Sequence, residues 1–285
     1  MSAGFRSDPR QRAQGLETVD PVWHRIRAEA GEAAGREPAL ATFLFGAVVS
    51  QHSLEEAVVA RVAGRLDHAD LPMAIIRQAF HDALGQSNDM GTSMRADIMA
   101  VLDRDPATER ALEPLLYFKG FHAIQCHRLA HWLWTTGRRD FALYLQSRSS
   151  VVFQTDIHPA ARLGRGIFLD HATGLVVGAT AVIEDDVSIL QGVTLGGTGK
   201  ESGDRHPKIG RGVMIGAGAK VLGNIAIGHH SRIASGSVVL APVPPCKTVA
   251  GVPARIVGEA GCAEPSRSMD QMIAGDSRDG RGLCL

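Results

Sequence analysis

The chain has 285 residues, and its 30 Lys and Arg balance its 30 Asp and Glu, so the formal net charge is zero. This balance gives no positive field for nucleic acid or an anionic membrane surface, and we expect neither as a partner. Hydrophobic residues make up 45% of the chain and aromatic residues only 5%, which predicts a core of small and aliphatic side chains. The four cysteines are far apart and form no C-x-x-C pair, so neither a zinc cage nor a disulfide framework is expected.

The first 19 residues are polar and lack the apolar segment of a signal peptide. No apolar run elsewhere is long enough to span a bilayer. We therefore expect a disordered N-terminus over residues 1–19 and a cytoplasmic protein.

Residues 20–154 follow a helical pattern. Asp20-Pro21 is typical of a helix start, and Ser53-Leu-Glu-Glu56 is a capping box. Asp105-Pro106 predicts a further cap-and-proline start. Residues 121–134 are apolar on most faces, which indicates a helix buried in a bundle or against another subunit and ended by Gly137. The apolar residues after the capping box recur at four-residue steps: Leu54, Val58, Val62 and Leu66.

From residue 155 the period changes to six. Neither a helix nor an alternating strand keeps a strict period of six over this length, whereas a solenoid does. The first aliphatic run is Ile157, Leu163, Leu169 and Leu175. The second run is Val177, Ile183, Ile189 and Leu195. The third run is Ile209, Ile215, Val221, Ile227, Ile233 and Val239.

Three positions after the aliphatic residue the repeat places residue types that tolerate a positive φ, which predicts a turn at each corner. These residues are Gly166, Asp186, Gly192, Gly212, Gly218, Asn224, His230 and Gly236. The chain therefore predicts an α+β fold: a helical domain over 20–154, then a left-handed parallel β-helix of hexapeptide repeats over 155–258, and a flexible C-terminal tail over 259–285.

The repeat breaks phase at two places, and functional residues tend to lie where a regular pattern is broken. The phase slips by two residues just after Asp170-His171, and a long loop that ends in Arg205-His206 interrupts the repeat after Leu195. A third polar group, Asp156-Ile-His158, lies at the start of the first turn of the repeat.

These polar residues allow more than one chemistry. His158, His171 and His206 could bind zinc, as in β-helical carbonic anhydrases, but those enzymes place their ligands on the faces of consecutive turns. A histidine and an aspartate could instead act together as a general base. The third possibility is that these residues only satisfy hydrogen bonds in turns.

From about Asp103 to Gly258 the chain closely resembles bacterial serine O-acetyltransferases. Many acyltransferases share hexapeptide repeats, so the specific part is the combination of 169–174 with 203–208. The segments that carry the resemblance are Asp105-Pro-Ala107, Tyr117-Phe-Lys-Gly-Phe-His-Ala123, Asp156-Ile-His-Pro-Ala160, Leu169-Asp-His-Ala-Thr-Gly174, Val193-Thr-Leu-Gly-Gly-Thr-Gly-Lys200, Gly203-Asp-Arg-His-Pro-Lys208 and Ala250-Gly-Val-Pro-Ala-Arg255.

The resemblance implies transfer of the acetyl group of acetyl-CoA to L-serine, the first step of cysteine biosynthesis from serine. It implies that His171 is the catalytic base and that Asp156 orients it. An imidazole can take the hydroxyl proton near neutral pH, and a carboxylate can fix its tautomer. The implied substrate-binding residues are Asp105 and Asp170 for the ammonium, Arg205 for the carboxylate, and His206 for the hydroxyl or the carboxylate.

The resemblance also implies partners. CoA is expected along a groove between turns of the β-helix near Gly197, Ala217 and Ser235, with no metal. Chains are expected to form trimers or dimers of trimers with active sites between neighbours, and L-cysteine is expected to act as a feedback inhibitor. The tail ends in Leu285, where the family often has the isoleucine that docks into O-acetylserine sulfhydrylase, so that partner is a weaker expectation.

Two other functions stay open from the sequence. A zinc hydratase could use the same scaffold, and a metal assay would distinguish it. A non-enzymatic subunit that regulates a sulfhydrylase would need none of the polar residues at the phase breaks, and their presence favours the acetyltransferase.

Overall fold

The computed structural model describes residues 20–87, 89–199, 202–261 and 263–272. The expected disordered N-terminus, and the end of the tail with Leu285, lie outside this described part. Within it, helices occupy the first half and short strands the second. The helices are α1 (Pro21–Arg36), α2 (Ala41–Leu44), α3 (Leu54–Leu66), α4 (Met73–Gln86), α5 (Asp89–Arg104), α6 (Leu112–Leu116), α7 (Lys119–Thr135), α8 (Arg139–Phe153) and α9 (Pro265–Ser268).

The helix starts that the sequence predicts at α1 and α3 are confirmed. The Asp20 carboxylate accepts a hydrogen bond from the Trp23 amide at 3.1 Å, and Ser53 Oγ accepts one from the Glu56 amide at 3.3 Å. The apolar stripe of α3 is fully buried.

The third predicted start is wrong, because Asp105 follows the end of α5 and caps no helix. Its carboxylate accepts hydrogen bonds from the Ala107 amide and the Thr108 hydroxyl, which closes a turn instead.

The second half is a left-handed β-helix. Its first sheet has the order β1-β4-β7-β10-β13, its second β11-β8-β5-β2, and its third β15-β14-β12-β9-β6-β3. The strands are β1 (Thr155–Ile157), β2 (Arg162–Leu163), β3 (Phe168–Leu169), β4 (Leu175–Val177), β5 (Val182–Ile183), β6 (Ser188–Ile189), β7 (Thr194–Gly196), β8 (Lys208–Ile209), β9 (Met214–Ile215), β10 (Lys220–Leu222), β11 (Ala226–Ile227), β12 (Arg232–Ile233), β13 (Val238–Val239), β14 (Lys247–Gly251) and β15 (Ala254–Glu259).

Parallel pairing stacks the aliphatic residues of successive turns inside the β-helix. In the first sheet Ile157 lies in register with Val177, which lies in register with Leu195, and all three are buried. The period of six thus sets the interior, because each turn places one residue per sheet above the equivalent residue of the turn below.

The corners between the sheets have the predicted left-handed backbone with one exception. Asp186 and His230 adopt φ values of 61° and 54°, which polar residues accept at limited cost. Asn224 does not adopt a positive φ; the preceding Gly223 does, at 98°. Glycine reaches this region without a Cβ clash, so the turn forms one residue earlier than the repeat predicts.

The two halves share one continuous hydrophobic core. Gly120 of α7 lies so close to the β-helix that a Cβ at this position would come within 2.0 Å of the Leu169 carbonyl oxygen. The buried Asp97 carboxylate of α5 accepts hydrogen bonds from Gln125, Arg128 and the Ile167 amide. These contacts fix α5 and α7 against the first turn of the β-helix.

The C-terminal segment departs from the expectation of a flexible tail from residue 259. Residues 263–272 instead pack on the third sheet and on α5. The Arg267 guanidinium binds both oxygens of Asp103 at 2.6 and 3.0 Å, and Arg232 donates to the Asp270 carbonyl at 2.8 Å. Met269 packs against the small apolar cluster of Ala100, Val101 and Phe168. Single long-range contacts of this kind produce no periodic pattern in the sequence. The sequence therefore did not predict them.

Candidate active site

The predicted site residues lie mainly at two corners of the β-helix. We call the corner where the third sheet passes to the first the His171 corner; it comprises residues 170–174, 190–193, 216–219 and 234–237. We call the corner where the first sheet passes to the second the His206 corner; its described residues are 178–181, 197–199 and 202–207. The two phase breaks seen in the sequence fall at residues 170–174 of the first corner and in the loop that ends at the His206 corner.

The His171 corner carries an exposed imidazole among carboxylates. The His171 side chain is 72% exposed, and its Nε2 lies 3.6 Å from Asp170 Oδ2. Burial raises the pKa of Asp170, and the negative charge of Asp105 raises it further, while the neighbouring His171 lowers it. The structure therefore brings Asp105 close to Asp170 and His171, although Asp105 lies in the turn after α5 and the other two residues follow β3.

His171 lies on a strained backbone that is held from outside the repeat. His171 and Ala172 both adopt positive φ, at 54° and 62°. Lys119 at the start of α7 donates to Thr173 Oγ1 at 2.5 Å and to Gln154 Oε1 at 2.8 Å. The helical half thus fixes the turn that presents His171.

Asp156 lies on the outer face of β1 and does not contact His171 within the described part of the chain. Its Oδ1 accepts a hydrogen bond from Gln146 Nε2 at 2.6 Å. Its strand neighbour is Val176 of β4, which follows the His171 turn. The predicted pair is therefore close in the fold but is not hydrogen-bonded in the single chain.

The His206 corner is built around Thr180. Thr180 Oγ1 accepts hydrogen bonds from the amides of Arg205 and His206, both at 3.1 Å. His206 is 6% exposed, and its Nδ1 lies 2.8 Å from Thr180 Oγ1 and 3.2 Å from the Thr180 nitrogen. Burial lowers the pKa of His206, and the positive charges of Arg205 and Lys208 lower it further.

Sequence reasoning missed Gly178 and Thr180, which support this corner. A Cβ at Gly178 would lie 2.0 Å from Cδ2 and from Nε2 of His206, so only glycine leaves room for the ring. Gly178 and Thr180 lie 28 and 26 positions before His206, so no local pattern in the sequence connects them to it.

The residues expected to bind CoA divide between the two corners. Ala217 and Ser235 stack with Thr173 along the His171 corner through backbone hydrogen bonds that join successive turns. Ser235 Oγ donates to Gln271 Oε1 at 3.1 Å. Gly197 lies at the His206 corner, where a Cβ would come within 3.2 Å of the Arg205 side chain.

A single chain does not join the two corners into one small pocket. Strand β4 separates them, and the four extended steps from Gly174 to Gly178 span roughly 13 Å. This distance exceeds the separation of the ammonium, hydroxyl and carboxylate groups in one serine molecule. Of the three histidines that the sequence offers as zinc ligands, His158 lies near His206 whereas His171 lies at the other corner. The described residues contain no group of three or more His, Cys, Asp or Glu that could hold a metal ion.

No helix in the described part of the chain is both long enough and apolar enough to cross a membrane. A family described as "Serine acetyltransferase, N-terminal" matches residues 22–126, and "Bacterial transferase hexapeptide (six repeats)" matches residues 206–241. The serine acetyltransferase of Salmonella typhimurium is 56% identical over 259 residues, which cover 91% of this chain and 95% of that protein.

Solved structures agree with this similarity. The crystal structure of serine acetyltransferase in complex with coenzyme A from Brucella abortus is 65% identical, has a TM-score of 0.86, and covers 87% of this chain and 99% of that chain. A serine acetyltransferase in complex with cysteine is 52% identical, has a TM-score of 0.87, and covers 89% and 98% of the respective chains.

Proposed function

The chain belongs to the serine acetyltransferase family, and on this premise we propose how it transfers the acetyl group of acetyl-CoA to the hydroxyl of L-serine. The serine oxygen attacks the thioester carbonyl directly while His171 takes the hydroxyl proton. The carbon–sulfur bond then breaks, and His171 returns the proton to the CoA thiolate. The observation that carries this proposal is the exposed His171 imidazole, held on a left-handed turn 3.6 Å from the Asp170 carboxylate.

Asp156 is the orienting partner of His171 in this mechanism. Its Oδ1 is held by Gln146, whereas its Oδ2 makes no hydrogen bond within the described residues. An imidazole N–H could bind Oδ2, which would leave the other ring nitrogen free to accept the serine proton. Carboxylate support of this kind stabilises the imidazolium that forms during the reaction.

The charges at the two corners match those of serine. Asp105 and Asp170 provide negative charge for the ammonium, and the Arg205 fork is suited to the carboxylate. Because β4 separates these groups in one chain, we infer that a site contains the His171 corner of one chain and the His206 corner of a neighbour. This arrangement requires a homo-oligomer, either a trimer or a dimer of trimers.

CoA is proposed to lie along the His171 corner past Ala217 and Ser235, with Gly197 contributed from the His206 corner. The serine acetyltransferase structure with coenzyme A supports a CoA site in the family. L-cysteine keeps the ammonium and carboxylate of serine, and the complex of a relative with cysteine supports competitive feedback inhibition. A cytoplasmic location and sulfhydrylase binding through the tail complete the proposal.

The activity is tested with a panel of hydroxy amino acids. Acetyl-CoA consumption is measured with L-serine, D-serine, L-homoserine and L-threonine. We expect consumption with L-serine and formation of O-acetyl-L-serine, because the carboxylates and Arg205 fix the substrate through both of its charged groups. Thioester loss at the same rate without any amino acid would show a hydrolase and would overturn the proposal.

A further inference from the structure

Thr180 makes an unusual set of contacts with the segment that follows it by 25 residues. Its Oγ1 accepts two backbone N–H groups, those of Arg205 and His206. A hydroxyl has one hydrogen to donate, and two acceptors among the described residues are candidates for it: the nearby Asp204 carboxylate and Nδ1 of His206. Nδ1 lies within hydrogen-bond distance of Oγ1, at 2.8 Å, so we assign the hydroxyl hydrogen to Nδ1.

The backbone nitrogen of Thr180 reinforces this assignment. A peptide N–H can only donate, and it lies 3.2 Å from the same Nδ1. Nδ1 must then present its lone pair to both donors. A neutral imidazole whose Nδ1 accepts carries its hydrogen on Nε2, so the tautomer of His206 follows from the contacts of Thr180.

The surroundings keep this ring neutral. Burial lowers the pKa of His206, as do the charges of Arg205, Lys208 and His158, while Asp204 opposes them. His206 Nε2 makes no hydrogen bond within the described residues, and its ring lies against Gly178. The ring therefore offers a single N–H donor beside Arg205.

We propose that Thr180 is a positioning residue that holds His206 as its Nε2–H tautomer, so that His206 donates a hydrogen bond to the serine carboxylate alongside Arg205. This inference rests on the proposed function. A ring in this state has no free lone pair and cannot take the serine proton, so the base must be His171. His206 thus contributes to serine binding and not to proton transfer.

Substitution of His206 by glutamine or by asparagine tests whether its side chain acts as a hydrogen-bond donor or as a base. Glutamine places an amide N–H near the position of Nε2, whereas asparagine places its amide near Nδ1. We expect His206→Gln to raise the serine KM less than His206→Asn does, because only glutamine keeps a donor near the position of Nε2. His206→Asn should raise the serine KM by about tenfold or more, the loss expected for a hydrogen bond to a charged group. Neither variant should change the acetyl-CoA KM. A large fall in kcat for both variants, with an unchanged serine KM, would overturn the donor role.

The role of Thr180 is tested by nuclear magnetic resonance of the full chain labelled with 15N-histidine. His206→Gln identifies the His206 signals by their loss. We expect the Nε2–H tautomer in the unmodified protein and in Thr180→Ser. In Thr180→Val, which keeps the shape but loses the hydroxyl, we expect the pKa of His206 to rise towards its ordinary value and the serine KM to rise. Thr180→Ser is the matched control, since it keeps both functions of Oγ1.

An Nδ1–H tautomer in the unmodified protein would contradict the inference. So would a folded Thr180→Val variant with an unchanged His206 titration and an unchanged serine KM. The NMR measurement of the His206 tautomer does not require the protein to turn over its substrates. If the unmodified protein failed to acetylate serine, the proposed function would fail while the tautomer measurement would still stand.

Discussion

Asp170 places a half-buried carboxylate 3.6 Å from the imidazole of His171. Burial and the negative charge of Asp105 raise its pKa above the ordinary value of an aspartate. Only the ionised carboxylate can pair with the ammonium of serine. Because the pKa is raised, Asp170 becomes protonated at a higher pH than an exposed aspartate does. Serine binding should therefore weaken in the pH range where Asp170 becomes protonated.

We therefore expect the serine KM to rise as the pH falls, and this rise should begin at a higher pH than an unperturbed aspartate would cause. Steady-state kinetics at saturating acetyl-CoA measure this dependence. Asp170→Asn should have a raised serine KM across the range and should lose the part of the pH dependence that Asp170 causes. An Asp170→Asn variant whose KM follows the same pH curve as the unmodified protein would assign the dependence to another group.

Single residues also show which features the sequence could predict. Asp170, His171, Arg205 and His206 were found because they break a period of six, and the structure places all four at corners. Thr180 sits in an ordinary corner, and its importance depends on a loop 25 residues later that folds back over it. The contact between Asp156 and Gln146 could not be predicted either, because it depends on how α8 ends against β1.

Helix α7 links the helical half to the turn that carries His171. Gly120 allows the helix to lie on the Leu169 carbonyl, and Lys119 then reaches Thr173 and Gln154. His171 and Ala172 have a backbone conformation that disfavours side chains, so external contacts must hold them there.

Replacing Lys119 by methionine should remove these contacts while keeping the length of the side chain. We expect kcat to fall about three- to tenfold, since the lost hydrogen bonds are charge-assisted but partly exposed to water. The thermal unfolding midpoint should change little, because Gly120 and the buried core around α7 remain. Lys247→Met is the matched control, as Lys247 pairs with Glu259 far along the chain from the His171 turn. Equal kcat values for both lysine variants would show that Lys119 does not position the turn.

The sequence predicted the repeating part of the fold better than the segments that are held by isolated long-range contacts. The inner rows of the β-helix were predictable because each repeat contacts only its neighbours, so the pattern is local. The C-terminal segment was not, since Arg267 is held by Asp103 and Met269 by an apolar cluster that includes Phe168, both at distant positions in the chain. The turn at Asp105 differs from the predicted helix start because Thr108 competes for its carboxylate.

The separation of the two corners bears on how whole chains assemble. If each site takes His171 from one chain and Arg205 from the next, two inactive variants can complement each other. We expect His171→Ala and Arg205→Ala to be inactive alone. Mixed oligomers purified through two different tags should recover activity, since a cyclic trimer that contains both chains has about one intact site in three.

The control for this experiment is a mixture of two His171→Ala chains with the same two tags, which should stay inactive. Activity of the mixed oligomer is measured as acetyl-CoA consumption with L-serine. Mixed oligomers that form and bind acetyl-CoA but remain inactive would mean that both corners act within one chain.

The most direct measurement of the proposed mechanism is the kcat of His171→Ala with L-serine and acetyl-CoA. Loss of a general base is expected to reduce kcat by on the order of 10²–10⁴, while the KM for acetyl-CoA stays near its original value. His229→Ala, which removes another exposed corner imidazole of the β-helix, should keep full activity. A folded His171→Ala protein with a kcat close to that of the unmodified enzyme would contradict the assignment of His171 as the base.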